Sequence, residues 1–207
     1  MSEFQKSYSK PVFSFFGGPD EKMVMQTHLP TSVGLGLLKD AEENNYNFVK
    51  NDLHSSNLLS TEMSSWVIHE EKWAAPYISR LMSFLQEGFN PLVCNERSYF
   101  LTLFDSWLVK YSKDSTLLPH HHGDHFSEWS FCWYLDVPDE GTEIIFRIED
   151  KAVMKSVYSG DIVVFPSGLM HWTYDLHENR KILAGNFCLS VVPKNIQINF
   201  NPESQNV

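Results

Sequence analysis

Apolar residues recur at helical spacing in the first half of the chain and in short strand-like runs after Arg97. In the first half, Val12–Phe16 and Lys22–Thr27 flank Gly17-Gly18-Pro19-Asp20, which predicts two short strands around a turn. Thr31–Asn45 predicts a helix carried by Leu37, Leu38 and Ala41, with Gly34 and Gly36 weakening its start. The run Glu70–Gly88 predicts a stronger one. Trp73, Tyr77, Ile78, Leu81, Met82 and Leu85 fall on one stripe. Pro76 marks a start for that helix, and Gly88 with Pro91 marks its stop. From Arg97 the period changes. Tyr99–Tyr111, Phe126–Val137, Thr142–Glu149, Ala152–Tyr158, Asp161–Phe165, His171–Leu176 and Lys181–Val192 read as strands, with Pro138-Asp139-Glu140-Gly141 a turn between two of them. Short strands at this spacing suggest an all-β sandwich or barrel, and a jelly roll is the architecture that suits a site at a barrel mouth.

Length and composition narrow the class. A chain of 207 residues with 43% apolar and 14% aromatic residues is one globular domain by expectation. Residues 1–96 read as strands and helices packed on a core at 97–192, and 193–207 as a polar tail. The formal net charge of -10 argues against a nucleic-acid partner, which selects for a basic stripe. Cys94, Cys132 and Cys188 match no zinc or redox spacing and each lies in an apolar stretch, so buried free thiols are expected. The start of the chain has no signal-peptide layout, and no apolar run approaches the ~20 residues of a membrane span. The expectation is a cytoplasmic protein with no membrane partner. Oligomeric state is silent in the sequence.

Two segments carry the chemistry. His120-His121-His122-Gly123-Asp124 precedes the Phe126–Val137 strand, and Gly160-Asp161-Ile162-Val163-Val164-Phe165-Pro166-Ser167-Gly168-Leu169-Met170-His171 is followed nine residues later by Arg180. Residues two apart on an extended segment point the same way, so His122 and Asp124 project together. His171 completes the set from a separate strand, on a rigid turn made by Pro166-Ser167-Gly168. Two histidines and a carboxylate leave open positions on a metal, the donor set of non-haem Fe(II) oxygenases. Arg180 shares a strand face with Ile182, Ala184 and Asn186, with Leu183 and Phe187 on the other. A charged residue opening a buried strand needs a partner, and a guanidinium forms two-pronged hydrogen bonds to a carboxylate.

These segments resemble the Fe(II)/2-oxoglutarate-dependent oxygenases, and more narrowly prolyl-hydroxylase-like oxygenases of bacteria and their viruses. His122, Asp124, His171 and Arg180 match the family's His-x-Asp, distal His and late Arg in order. Ser106-Trp107, Trp133-Tyr134-Leu135, Phe165-Pro166-Ser167 and Asn186 add to the likeness, which covers about Ser106–Leu189. The resemblance implies a double-stranded β-helix, with Fe(II) on His122, Asp124 and His171 and with 2-oxoglutarate as cosubstrate. It implies that Arg180 pairs with the far carboxylate, assisted by a tyrosine. Tyr111 is the candidate for that tyrosine and Tyr134 the competitor. Hydroxylation of a peptide or small metabolite, with release of succinate and CO2, would follow. One departure stands out: Ile182 replaces the Ser or Thr that many relatives carry two residues after the Arg.

Two other readings share the jelly roll. A cupin metal enzyme without 2-oxoglutarate would use His120 and His122 as paired histidines and Glu128 as carboxylate, although Glu128 is too distant for the usual spacing and Arg180 goes unexplained. A non-catalytic binding module would use Trp129, Trp133, Tyr134, Trp172 and Tyr174 around the same site.

Overall fold

The computed structural model describes residues 11–16, 24–46, 49–50, 58–65, 67–93, 98–123, 127–139, 141–174 and 180–192. In chain order these form β1 (Ser14–Phe16), β2 (Val24–His28), α1 (Thr31–Glu43), β3 (Val49–Lys50) and β4 (Leu58–Met63). A 3₁₀ turn at Ile68–Glu70 leads to α2 (Ala75–Val93) and the long β5 (Ser98–His120). The remainder is strand: β6 (Trp129–Asp136), β7 (Thr142–Ile148), β8 (Lys151–Val157), β9 (Asp161–Pro166), β10 (His171–Thr173) and β11 (Arg180–Val192).

The strands pair in the order β1-β2-β9-β6-β11-β5-β10-β7-β8, with β4 attached to β5 and β3 to β4. Every ladder between these strands is antiparallel. β5 joins the two halves of the jelly roll. Its residues from Ser98 to Tyr111 pair with β11, and Leu117 and His120 pair with β10. The fold expected from the sequence is thus the fold observed.

The two faces of the large sheet separate by parity, as a period of two requires. On one side Phe131, Trp133, Leu135, Ile162, Val164, Leu183 and Phe187 pack with Leu37, Leu38, Ile78, Leu81 and Leu85 of the helices. On the other, Cys132, Tyr134, Val163, Phe165, Ile182 and Ala184 face Ile144, Phe146 and Ile148 across the jelly-roll interior. The helices therefore seal the outer face and leave the interior for chemistry. Leu81 is fully buried in the helix–sheet seam. Leu81→Ala should cost ~2–5 kcal/mol of stability. In urea the unfolding midpoint should fall with an unchanged slope.

The helices differ from their predicted limits. α2 begins next to Pro76 as expected, since the first turn needs no N–H from that residue. It does not stop at Gly88, however, and runs on through Pro91 to Val93. Gly88 serves close packing instead: a Cβ there would lie 1.9 Å from the Phe13 ring. Gly160 does act as a turn residue. Its φ of +96° is a region that side chains avoid, and a Cβ would meet the Leu29 carbonyl at 2.4 Å. Its N–H donates to the Tyr134 carbonyl at 2.7 Å and its carbonyl accepts from Leu29, which seats the start of β9. Among the described residues, no helix is long and apolar enough to cross a membrane.

Candidate functional site

Strand register brings the histidines together. His120 ends β5 and pairs directly with His171, the first residue of β10. Directly paired residues share a sheet face, and the two ring centroids lie 4.2 Å apart. His122 follows two residues after β5. Its ring is 5.1 Å from that of His171 and 5.2 Å from that of His120. The ligand nitrogens of His120, His122 and His171 all lie within 4.8 Å of one another.

Backbone contacts tie the two histidine segments to each other. The His122 N–H donates to the Ser167 carbonyl at 2.7 Å, and Ser167 N–H to the Glu128 carbonyl at 3.0 Å. The Ser167 hydroxyl donates to the Ser127 carbonyl. A Cβ on Gly123 would approach Gly168 Cα to 3.2 Å, so the loop after His122 lies flush on the turn before His171.

Each imidazole has its Nδ1 engaged. His171 Nδ1 lies 3.0 Å from the Leu169 carbonyl and His120 Nδ1 3.0 Å from the Leu118 carbonyl. A carbonyl only accepts, so both Nδ1 atoms carry the proton and Nε2 carries the lone pair that a metal requires. His122 Nδ1 is 2.9 Å from Asn186 Oδ1, which also accepts from the Ser130 hydroxyl at 2.6 Å. That assigns the same tautomer to His122. Burial holds His171 well below the usual histidine pKa, and its neighbours His120 and His122 push the same way. Burial also lowers His120, against the opposing carbonyls of Leu118 and His171. Both rings are therefore in the neutral, metal-binding form near neutral pH. Phe165, 4.6 Å from the His171 ring between centroids, and Trp107, 5.7 Å from that of His122, wall the cluster with apolar surface.

Arg180 lies along the same interior face. It pairs in register with Tyr111, and Ile182 with Val109, Ala184 with Trp107 and Asn186 with Asp105 along β5. Alternate residues of β11 thus run from the guanidinium at one end to the His122-holding amide at the other. Arg180 is only 3% exposed. Its guanidinium sits 4.3 Å from the Tyr111 ring centroid and 5.8 Å from that of Tyr134. Nη1 donates to the Thr142 hydroxyl at 3.3 Å and the Glu143 carbonyl at 3.2 Å, while Nε is buried without an acceptor. Among the described residues no carboxylate pairs with it. Burial raises the Tyr111 phenol, with the Arg180 charge opposing, so Tyr111 is a neutral hydroxyl.

The sequence-derived residues fare differently. His122 and His171 come together, as do Arg180 and Tyr111. Tyr134 also faces Arg180, but from farther off. Asp124 and His125 lie outside the described residues. The His121 ring nitrogen accepts the Gly123 N–H at 3.2 Å, a turn contact. The Glu128 carboxylate accepts the Leu189 N–H at 2.9 Å and is not part of the histidine cluster. The proposed aromatic cluster divides, because strand parity sends Trp129 and Trp133 to the helix side. Tyr134 faces the interior, and Tyr174 is largely exposed beside Trp172. Cys132 is a buried free thiol, pushed up to about 12 by burial, while Cys188 is free and half-buried. Cys94 lies outside the described residues.

Sequence reasoning missed Ser130 and Thr142, and noted Asn186 without its role. The signal for Asn186 was present in its i, i+2 spacing from Ala184 on the Arg180 face. A group that orients a ligand imidazole typically contributes ~10–100-fold to metal affinity. Asn186→Ala should therefore weaken Mn(II) binding by about that factor, read by calorimetric titration, with the unfolding midpoint little changed.

No family model matches the chain, and no curated protein sequence does. Solved structures do match its fold. A prolyl-4-hydroxylase from Pseudomonas putida superposes with a TM-score of 0.60 at 15% identity, covering 82% of this chain and 93% of that one. A prolyl hydroxylase from Trichoplax adhaerens, in complex with a hypoxia inducible factor peptide fragment, gives 0.57 at 14% identity, covering 79% and 82%. HygX from Streptomyces hygroscopicus, with nickel and 2-oxoglutarate bound, gives 0.55 at 15% identity, covering 80% and 82%. The chain has the fold of these three structures.

Proposed function

We propose that this protein is a non-haem Fe(II)- and 2-oxoglutarate-dependent oxygenase that hydroxylates a peptide or small metabolite. The observation that carries the reading is Arg180, a buried guanidinium with no carboxylate partner among the described residues, on the interior face that also leads to a cluster of three imidazoles. A buried, unpaired charge costs several kcal/mol, so a fold that keeps one does so for a ligand. A dicarboxylic oxo acid fits both ends: one carboxylate for Arg180, and a keto-acid chelate for a metal.

The donor set fits the metal. His122 and His171 offer Nε2, and Asp124 is the third ligand by its His-x-Asp spacing. With the oxo acid and O2, such an iron centre supplies oxidative decarboxylation to succinate and CO2 coupled to hydroxylation of a C–H bond. The chain's own residues prepare for this. Asn186 and Ser130 fix the His122 ring, and the Leu169 carbonyl fixes that of His171. Thr142 and the Glu143 carbonyl hold one edge of Arg180, and Tyr111 stacks against the guanidinium. Phe146 and Phe165 give the His171 side an apolar wall. Ile182, buried two residues after Arg180 on the same face of β11, leaves that pocket without the usual hydroxyl, so Thr142 and Tyr111 are the polar groups in its place. Free Cys132 and Cys188 thiols suit a reducing, cytoplasmic setting.

The test is 2-oxoglutarate titration of the Mn(II)-loaded protein without oxygen, followed by succinate release with Fe(II) and O2. Saturable binding and O2-dependent succinate are expected. Metal binding with no oxo-acid binding would favour the cupin reading, which draws its own support from the presence of His120 in the cluster.

A further inference from the structure

We propose that His120 is an exchangeable metal ligand: it coordinates the ion in the protein without oxo acid, and the incoming oxo acid displaces it. The proposal rests on the oxo-acid reading above and concerns a residue outside the His-x-Asp, distal His pattern. Three observations carry it. His120 is directly opposite His171 in the β5–β10 ladder, so its position is set by strand pairing and not by a loose loop. Its nitrogen lies within 4.8 Å of those of both His122 and His171. Its Nδ1 engages the Leu118 carbonyl, which puts the ring in the tautomer shared by the other two.

Coordination arithmetic explains why the bond must exchange. Six positions are available on an octahedral ion. On the oxo-acid reading above, His122, His171 and the Asp124 carboxylate would take three, a chelating oxo acid two, and one would remain for O2. A fourth protein ligand that stayed in place would leave none. An imidazole that binds only before the oxo acid arrives would hold the ion more tightly in the resting protein and keep O2 away until the cosubstrate is in place. His120 is the ring placed for that: half-buried at the end of a strand, beside a firmly buried His171.

The experiment is paramagnetic proton NMR of the intact chain loaded with Co(II) under nitrogen. Each Co(II)-bound imidazole with a protonated Nδ1 gives one strongly shifted exchangeable signal. Wild type should show three, His120→Ala two, and wild type saturated with 2-oxoglutarate two. In parallel, deleting this donor in His120→Ala should lower Co(II) affinity without oxo acid by at least the ~10–100-fold seen for groups that support a metal site. Two signals in unliganded wild type, or equal Co(II) affinity in the variant, would overturn the proposal. Three signals that persist with oxo acid bound would overturn the exchange. Should no protein bind 2-oxoglutarate, the oxo-acid reading itself fails, whereas the three-to-two count between wild type and His120→Ala still tests the ligand.

Discussion

Arg180→Ala should nearly abolish 2-oxoglutarate binding while leaving metal affinity almost unchanged. The guanidinium is buried, held by Thr142 and the Glu143 carbonyl on one side and stacked on Tyr111. A carboxylate arriving there meets a desolvated, oriented cation, and the bond is charge-assisted. Removing one partner of such a pair typically costs ~2–5 kcal/mol. At ~1.4 kcal/mol per decade that is roughly 30- to 4,000-fold in affinity. Arg180→Lys should recover part of the loss, since the charge survives without the two-pronged fork. Tyr111→Phe should lose far less than Arg180→Ala if the phenol only assists. Anaerobic titration of Mn(II)-loaded protein reads all three, and equal affinity in wild type and Arg180→Ala would sink the cosubstrate role. A second consequence follows from the same burial. Arg180→Met keeps the bulk and removes a buried charge that has no carboxylate partner among the described residues, so the ligand-free protein should melt at a higher temperature than wild type, by the equivalent of about 1 kcal/mol or more. A site that weakens the fold when empty and is relieved by ligand is the signature of a binding group, whereas a structural arginine would show the opposite sign.

The fold was legible where periodicity was strong. On β11 the alternation of Ile182 and Ala184 against Leu183 and Phe187 assigns the faces seen in the structure. The α2 stripe of Ile78, Leu81 and Leu85 is buried on the large sheet as its spacing requires. What escaped was set by contacts that have no local signature. Gly88 looked like a helix stop, but it is the point where Phe13 presses on α2. β3 and β4 were not foreseen, because Val49–Lys50 and Leu58–Met63 owe their extension to pairing with each other and with β5. The most consequential miss was the length of β5. The strand pattern fades after Tyr111, yet pairing with β4 and β10 carries the strand to His120. That extension alone places His120 opposite His171. In the site, residue identity and spacing named His122, His171 and Arg180, and the family resemblance added Tyr111, with Tyr134 as competitor. They could not name Ser130 and Asn186 as the pair that orients His122, since those meet it only through the β6–β11 register.

Loss of metal binding is the other large effect expected, and its pattern across variants of the candidate ligands and their neighbours assigns the ligands. His171→Ala removes a buried imidazole whose neutrality and orientation are both set by its surroundings. His122→Ala removes the ring held by Asn186. Either change deletes a donor outright, so the loss of Mn(II) or Fe(II) affinity should exceed the ~10–100-fold typical of groups that merely support a ligand. Asp124→Ala should match them, because the carboxylate, as the proposed third ligand, would supply the negative charge that imidazole ligands lack. Asp124→Glu should restore part of the binding, since the charge is kept at a longer reach. His121→Ala should be close to wild type, because among the described residues that ring accepts the Gly123 N–H and does not join the histidine cluster. Folding is controlled by circular dichroism, and the metal is quantified by titration and by elemental analysis after dialysis. If Asp124→Ala bound metal as wild type while His120→Ala did not bind it, the site would be a three-histidine centre and the facial His-x-Asp assignment would be wrong. The result expected is the reverse order: His122, His171 and Asp124 each indispensable, and His120 adding to affinity only while the oxo acid is absent.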